Sequence, residues 1–555
     1  MNRGEISVED VTYSYNREGP FILDGLSLHI RAGERVHIAG RSGSGKSTLL
    51  QLLTGQLPHA GKDGLTGGIR VGGIDPAMAG TAGRAEVISA LFQDPDAQLV
   101  QGIVEDEIAF GPENMQVPPE EIRQRVEEVL RGVNLVPLRH SRVHELSGGQ
   151  RQRAAAGAVL SMHTPIVVLD DPFARLDKAA QQQLLSLLDR LSAAGRTVIT
   201  VSARIDAAAA AAQRLVVLDG GRAVLEGTPA VLLRSGEARA RLAALGVLPA
   251  APPSASSASP PRSPSPTASR PSAKPASSPF SPPPSSPAAP SLDSSPPPSS
   301  APASSPPPQP PSAATPADRL LELRGLRFQY PSGAEALRGV SLHLGAGQMG
   351  LLCGENGSGK TTLSRLLIGL LRAPKGMLFL DGMDIGRMKA AQLARHVGYV
   401  FQEPAHQFVT GSVLEEMLFE PLSLLKLRVP KQWQGDAGSR LEWAQEQPAL
   451  KPYLERAGLL LREAGLSSKA YLSPYLLSGG EQRLLGAVVQ FMVPKLLYVL
   501  DEPTAGTDFA SAGLLARLCR QAADEGAGLL LITHEPELFN EYADIRFQLD
   551  KGRLR

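Results

Sequence analysis

The sequence predicts an α/β chain made of two copies of one domain, and three observations carry that reading. The two ends repeat each other's landmarks at matching spacings, each repeat sets a glycine-rich loop directly after a short apolar run, and a Ser/Pro/Ala-rich stretch separates them. Tyr15 precedes Lys46 by 31 positions and Tyr330 precedes Lys360 by 30; Ser147 precedes Asp170 by 23, as Ser478 precedes Asp501.

In chain order, each copy opens with alternating, strand-like segments (ISVEDVTYSY from Ile6; LELRGLRFQY from Leu321) and goes on to apolar runs that read as buried parallel strands between helices. We divide the chain into residues 1–247, 248–317 and 318–555. The middle segment is almost wholly Ser, Pro and Ala, with Arg262, Arg270, Lys274 and Asp293 nearly its only charges. It cannot bury apolar surface to offset its ordering entropy, so it reads as a disordered tether, reaching on the order of 200 Å at about 3.1 Å per residue if extended. A docking site for proline-binding modules is the alternative, although no specific ligand motif stands out.

At 555 residues the chain exceeds one compact core. A formal charge of +1 offers no excess of Lys and Arg for a phosphate backbone, which disfavours nucleic acid as a partner. Cys353 and Cys519, the only cysteines, suggest no disulfide framework and fit a reducing compartment. With no secretory signal and no run of about 20 apolar residues, any membrane role is expected to come through partner proteins.

The glycine-rich loops are GRSGSGKST, Gly40 to Thr48, and GENGSGKTT, Gly354 to Thr362. Glycines let successive N–H groups converge on phosphate oxygens, Lys46 or Lys360 supplies a point charge, and Ser47 or Thr361 offers a hydroxyl to Mg²⁺. Downstream, PIVVLDDP ends in Asp170 and Asp171, and KLLYVLDEP in Asp501 and Glu502. The first acid of each pair suits Mg²⁺ and the second an attacking water. A strand ending in acids is common by itself; its place after a phosphate loop favours the chemical reading.

Between loop and acids lie LSGGQ, Leu146 to Gln150, and LSGGE, Leu477 to Glu481. The order of phosphate loop, glutamine in FQ, LSGG, acid-ended strand and His-bearing strand resembles the ATP-binding-cassette family over nearly the whole chain outside the tether. The resemblance implies two nucleotide-binding domains, each a phosphate-loop core plus a helical subdomain, that sandwich two ATP molecules head to tail. The LSGG of one copy then completes the phosphate site of the other.

Residue by residue, the resemblance implies nucleotide contacts at Tyr15 and Tyr330 (adenine), at Gly40, Ser42, Gly43, Gly45, Lys46, Ser47 and Thr48, and at Gly354, Asn356, Gly357, Gly359, Lys360, Thr361 and Thr362. It adds Ser147, Gly148 and Gly149 with Ser478, Gly479 and Gly480 from the opposite copies. Mg²⁺ contacts fall to Ser47, Gln93 and Asp170 and to Thr361, Gln402 and Asp501, while Glu502, His534 and Gln402 serve catalysis. A strand tyrosine packed only for structure is the other reading of Tyr15 and Tyr330.

The copies are not equal. His534, 33 positions after Asp501, matches the family's switch histidine, but the position 33 after Asp170 is Ala203. Asp171 stands where glutamate is expected and is shorter by one methylene, about 1.5 Å. The first site, with Lys46, Asp170, Asp171, Ser478 and Gly480, is therefore expected to bind ATP and turn it over slowly. The second, with Lys360, Gln402, Asp501, Glu502, His534, Ser147 and Gly149, is expected to hydrolyse it.

FQDPDAQLVQGIVEDEIAFGPEN, Phe92 to Asn114, and FQEPAHQFVTGSVLEEMLFEP in the second copy resemble the ATPases of energy-coupling factor importers of vitamins and metal ions; the tandem fusion is similar to hydroxymethylpyrimidine/thiamine-type systems. That resemblance implies two partners, an integral membrane coupling protein and a small substrate-binding membrane protein, and a place on the cytoplasmic face of the membrane. An importer of peptides or sugars is the alternative; a soluble tandem cassette acting on ribosomes is disfavoured because its relatives use a long charged helical linker. The acids Asp94, Asp96, Glu105, Asp106 and Glu107 could line a groove for basic coupling helices or form a solvated face. EEIRQRVEEVLRGV reads as a packed helix with Ile122, Val126, Val129 and Val133 on one side. The second copy's longer span from Phe419 to Leu477 holds both tryptophans, Trp433 and Trp443, and reads as an elaboration without separate chemistry.

Overall fold

The computed structural model describes residues 3–15, 19–58, 63–95, 97–174, 176, 178–249, 319–331, 333–402, 407–429 and 437–555. The proposed tether lies outside the described residues but for Leu248 and Pro249, as do Asp96 and Trp433. Met1–Ala251 and Pro316–Arg555 together form one compact unit that contains both copies.

Each copy has a six-stranded sheet with the same strand order. In the first it runs Ile88–Leu91, Ile166–Asp170, Thr197–Ser202, Arg35–Ala39, Arg214–Asp219, Arg222–Gly227. In the second it runs Val397–Val400, Leu497–Asp501, Gly528–Ile532, Met349–Cys353, Ile545–Asp550, Arg553–Leu554. Five strands are parallel and the last is antiparallel. The strands carrying the acids are buried at every residue, so both faces are covered and the run is apolar without alternation. A smaller antiparallel sheet, Leu23–Ile30, Ile6–Ser14 and Gly64–Val71 in the first copy, alternates buried and exposed residues along Leu23–Ile30, as a sheet with one wet face does.

Parallel pairing brings the carboxyl ends of the three central strands to one edge, which is where ligands bind in open α/β sheets. Along that edge stand the phosphate loop after Ala39, Asp170, and the segment after Ser202, with the loop after Cys353, Asp501 and the segment after Ile532 in the second copy. The register is shared: His37 pairs with Thr200 as Leu351 pairs with Leu531, and Ala90 with Val168 as Tyr399 with Val499. This makes position-by-position comparison of the copies exact in topology.

The helical part of the first copy packs Val104–Asn114, Pro119–Gly132 and Gly148–Ser161 around one core. Pro119 starts its helix with Glu120 and Glu121 in the first turn, favoured by proline's fixed φ and the helix dipole. Val126, Val129 and Val133 are buried and Ile122 packs beside them, as the helical spacing predicts. Arg125 bonds Glu121 at 2.5 Å and also donates to the carbonyls of Ser161 and Met162, at 3.2 Å each, tying this helix to the end of the next. In the second copy the longer connection folds into Ala437–Gln445 and Lys451–Glu463, and Trp443 is buried against Leu418 and Leu450, a packing role.

Glu107 departs from the acidic-groove reading. It is buried, and its Oε2 accepts the N–H groups of Val100 (2.8 Å) and Gln101 (2.6 Å), pinning the loop that enters its helix. Glu416 does the same for Val409 and Thr410. Glu105 is paired with Arg139 at 3.1 Å and stands 3.4 Å from His140.

Candidate nucleotide sites

Each phosphate loop turns into its helix through a glycine in left-handed backbone, Gly45 at φ 98° and Gly359 at φ 107°. A Cβ on Gly45 would stand 2.7 Å from Leu23 Cδ2, and one on Gly359 2.6 Å from the Ala336 carbonyl, so both conformation and space require glycine. Lys46 and Lys360 open the helices Lys46–Leu53 and Lys360–Leu367. Their ammonium groups donate across the loop to the carbonyls of Gly40 (2.5 Å) and Arg41 (2.9 Å), and of Gly354 (2.7 Å) and Glu355 (2.9 Å). Helix start, glycine amides and lysine are thus gathered in one loop in each copy, the group of donors that suits a phosphate. Tyr15 and Tyr330 extend beside it, their hydroxyls 3.0 Å from Thr48 and Thr362, each edge-on to an inner aromatic ring, Tyr13 or Phe328.

The acids differ in their company. Asp170 is buried, with the Ser47 hydroxyl 3.5 Å away. Asp501 accepts from Ser364 at 3.0 Å and from Tyr399 at 3.4 Å. The first copy has Leu50 and Ala90 at those two positions, which offer no hydroxyl. Asp171 and Glu502 both sit at positive φ, 51° and 49°, a conformation that costs a non-glycine residue energy and clusters at functional sites. Their backbone carbonyls are braced alike, by Gln152 (3.1 Å) in one copy and Arg483 (2.9 Å) in the other.

Glu502 meets His534 twice: the His534 N–H donates to Oε2 at 3.2 Å, and Nε2 lies 3.3 Å from Oε1. The second approach is close but misaligned, and Oε1 is buried without a hydrogen bond among the described residues. His534 Nε2 also stands 3.1 Å from Asn356 Oδ1, in the phosphate loop. Burial, with Asp501 adding to it, pushes the Glu502 carboxyl up from the ordinary carboxylate range. Burial likewise lifts Asp170, with Asp171 next in effect, and lowers Lys46. When ionised, a carboxylate with a buried oxygen that no described residue hydrogen-bonds, beside a histidine, can take a proton from water. In the first copy Ala203 leaves Asp171 no such neighbour.

The two copies complete one another. The Ser42 N–H donates to Asp508 at 3.0 Å across the interface. A Cβ on Gly480 would meet Ser42 Oγ at 2.2 Å, on Gly479 Gln93 Oε1 at 2.2 Å, and on Gly506 Asp171 Oδ2 at 2.4 Å. So Ser478–Gly480 lies on the first phosphate loop, and small residues are what permit it. Reciprocally, Gly148 faces Gln402, its Cβ position 3.4 Å from Nε2. Ser147 and Ser478 each begin a helix: Ser147 Oγ accepts the N–H of Gln150 (3.4 Å), and Ser478 N–H donates to Glu481 (3.0 Å). A cavity of about 540 Å³ lies between the copies, lined among others by Asp171, Arg204, Glu502, His534 and Glu535.

The geometry brings Ser478–Gly480 onto the first phosphate loop, sets Gly148 beside Gln402, and joins Glu502 to His534. It also adds Ser364, Tyr399, Arg483 and Arg204, which no motif marks. Among the described residues no group of three or more His, Cys, Asp or Glu is arranged to hold a metal ion. The hydroxyl, carboxylate and amide oxygens at each site are hard donors that suit an ion arriving with a nucleotide's phosphates.

Two phosphate loops, the first covered by the Ser478–Gly480 helix start of the opposite copy and the second in a copy whose Gln402 faces Gly148, define a paired nucleotide-binding ATPase. The ABC transporter family model matches residues 23–174 and 337–505, and the chain belongs to that family of ATP-hydrolysing, ATP-binding transporter cassettes. A candidate ABC transporter ATP-binding protein of Methanosarcina acetivorans is 34% identical over 99% of this chain and 85% of its own length. YkoD of Bacillus subtilis, described as a candidate HMP/thiamine import ATP-binding protein, is 30% identical over 97% of this chain and 88% of its own. Among the described residues no helix is long and apolar enough to cross a membrane.

Proposed function

We propose that this chain energises import by an energy-coupling factor transporter, with residues 1–247 and 318–555 as its two ATPase domains and 248–317 as a tether. The observation that carries the reading of the chemistry is the Glu502–His534 pair, assembled in the second copy and replaced by Asp171 and Ala203 in the first. ATP binds between copies. At the second site Lys360 and the loop amides hold the phosphates, Ser147 and Gly149 cover them, and Glu502 takes the proton of the attacking water while His534 orients it. Mg²⁺ entering with ATP supplies charge neutralisation, held by Thr361, Asp501 and Gln402, or by Ser47, Asp170 and Gln93 at the first site. The first site binds ATP and hydrolyses it slowly.

The import class is supported by the DPDAQLV stretch and by the likeness to YkoD, whose description names import of HMP/thiamine. On this reading the chain lies on the cytoplasmic face of the membrane, bound to an integral coupling protein and a small substrate-binding membrane protein. Affinity purification from mildly solubilised membranes followed by mass spectrometry tests it. Recovery of two such proteins supports the proposal; permease subunits of another importer class, or ribosomal proteins, overturn it. Site inequality is tested separately: Glu502→Gln should lower ATPase activity about 10²–10⁴-fold and Asp171→Asn less than about threefold. Equal losses would refute it.

A further inference from the structure

Arg204 follows Ala203 in the copy that lacks the histidine, and its hydrogen bonds reach across to the other copy. Its guanidinium crosses to the second copy, donating to Glu535 Oε1 (3.0 Å) and Oε2 (2.9 Å), to the Thr504 carbonyl (3.0 Å) and to Thr507 Oγ1 (3.0 Å). Its plane lies 4.9 Å from the ring centre of Phe509. The Arg204 side chain is 11% exposed, while its partner Glu535 is 46% exposed, so the pair is shielded on the arginine side only.

The partners are two segments that both lead back to one place. Glu535 directly follows His534; Thr504 and Thr507 follow Glu502 by two and five positions. Within the second copy the segments are joined at their bases by the Glu502–His534 contacts and farther out by Thr504 Oγ1, which donates to Glu535 Oε2 at 3.3 Å. Arg204 spans the same gap with a planar fork of donors in fixed geometry. Its backbone is held by a buried polar string. The Arg204 N–H donates to Ser202 Oγ at 3.3 Å, the Ser202 hydroxyl donates to the Arg204 carbonyl, and His37 reaches Ser202 (3.1 Å) and Thr200 (2.9 Å) with its two ring nitrogens.

We propose that Arg204 is a positioning residue of the second site, reaching from the first copy to hold the segments after Glu502 and His534 at the spacing that hydrolysis requires. Hydrolysis at one site then depends on a side chain of the other copy. This rests on the reading that Glu502 and His534 carry the reaction. A misplacement near 1 Å from a residue off the reacting atoms can cost about 10²-fold.

The test uses the full chain and measures kcat and KM for ATP. Arg204→Met is expected to lower kcat about 30-fold or more and leave KM within about threefold, because the phosphate loops are untouched. Arg204→Lys, which keeps the charge but not the fork, should fall between Met and native. Arg204→Glu with Glu535→Arg should recover at least about fivefold over Arg204→Glu alone, since the pair is rebuilt though the Thr504 carbonyl is not served. Native kcat in the Met variant, a loss expressed in KM alone, or no recovery in the exchanged pair overturns the proposal. If Glu502→Gln retains activity, it is instead the underlying reading that fails.

Discussion

The two copies share a backbone and have exchanged their polar residues. Strand order, left-handed glycines, lysine contacts and the positive-φ acid recur in both. Inside the sheet, however, the first copy holds His37 and Thr200 where the second has Leu351 and Leu531. At the sheet's edge the second copy has Ser364, Tyr399 and His534, and the first Leu50, Ala90 and Ala203. The first copy thus keeps hydrogen-bonding groups within its core and the second keeps them where phosphate chemistry is done. One frame tolerates both, because the strands and loop glycines set the geometry and the side chains on them decide its use.

Removing the residue that most separates the copies should have the largest effect. His534→Ala should lower kcat about 10²–10³-fold in steady-state ATPase assays, bringing the second site toward the state Ala203 gives the first. If activity persists, the copies differ less than their residues suggest.

The core difference predicts unequal response to acid. Burial lowers His37 to about 3 from an ordinary 6.5, so the folded copy holds it neutral while the unfolded chain takes up a proton below about 6.5. Its contribution is full above 6.5 and is lost as pH falls from there toward 3, on the order of 5 kcal/mol at most and about 3 kcal/mol by pH 4.5. The buried acids, raised in the fold, act in the opposite sense and remain in any variant. Hydrogen exchange of Arg35–Ala39 should therefore be compared between the native chain and His37→Leu with Thr200→Leu, from pH 7 to 4.5. The difference between the two should shift in the variant's favour on acidification, and the matching strand Met349–Cys353 should show none.

The smallest expected change concerns Asp501. Ser364→Ala and Tyr399→Phe each remove one hydroxyl, a loss of about 1 kcal/mol, and each should shift the Mg²⁺ concentration for half-maximal ATPase by about three- to tenfold. Leu50→Ser in the first copy should leave the same titration unmoved.

The fold and the frame of the sites were legible because glycine loops, acid-ended strands and LSGG segments are contiguous and duplicated. Ser147 and Ser478 were found by their motif, and Ala203 by counting from Asp170. Tyr399, Ser364 and Arg204 were not, since each lies in an unremarkable stretch and acquires its partner only through parallel pairing or across the interface. Glu107 was misjudged with its acidic neighbours because sequence does not reveal that its carboxylate caps two backbone amides. Trp443 showed only as a large apolar residue in an insertion until its contacts with Leu418 and Leu450 placed it in a core.

Arg204 and Glu535 occupy the same position in their respective copies, one past Ala203 and one past His534, and they face each other. An interface between identical subunits is palindromic: whatever lies on its two-fold axis meets itself, and a charge there meets its like. Carrying both halves on one polypeptide lifts that symmetry. A cation and an anion can then share the axis, and two chains joined through matching halves would set Arg204 against Arg204 or Glu535 against Glu535.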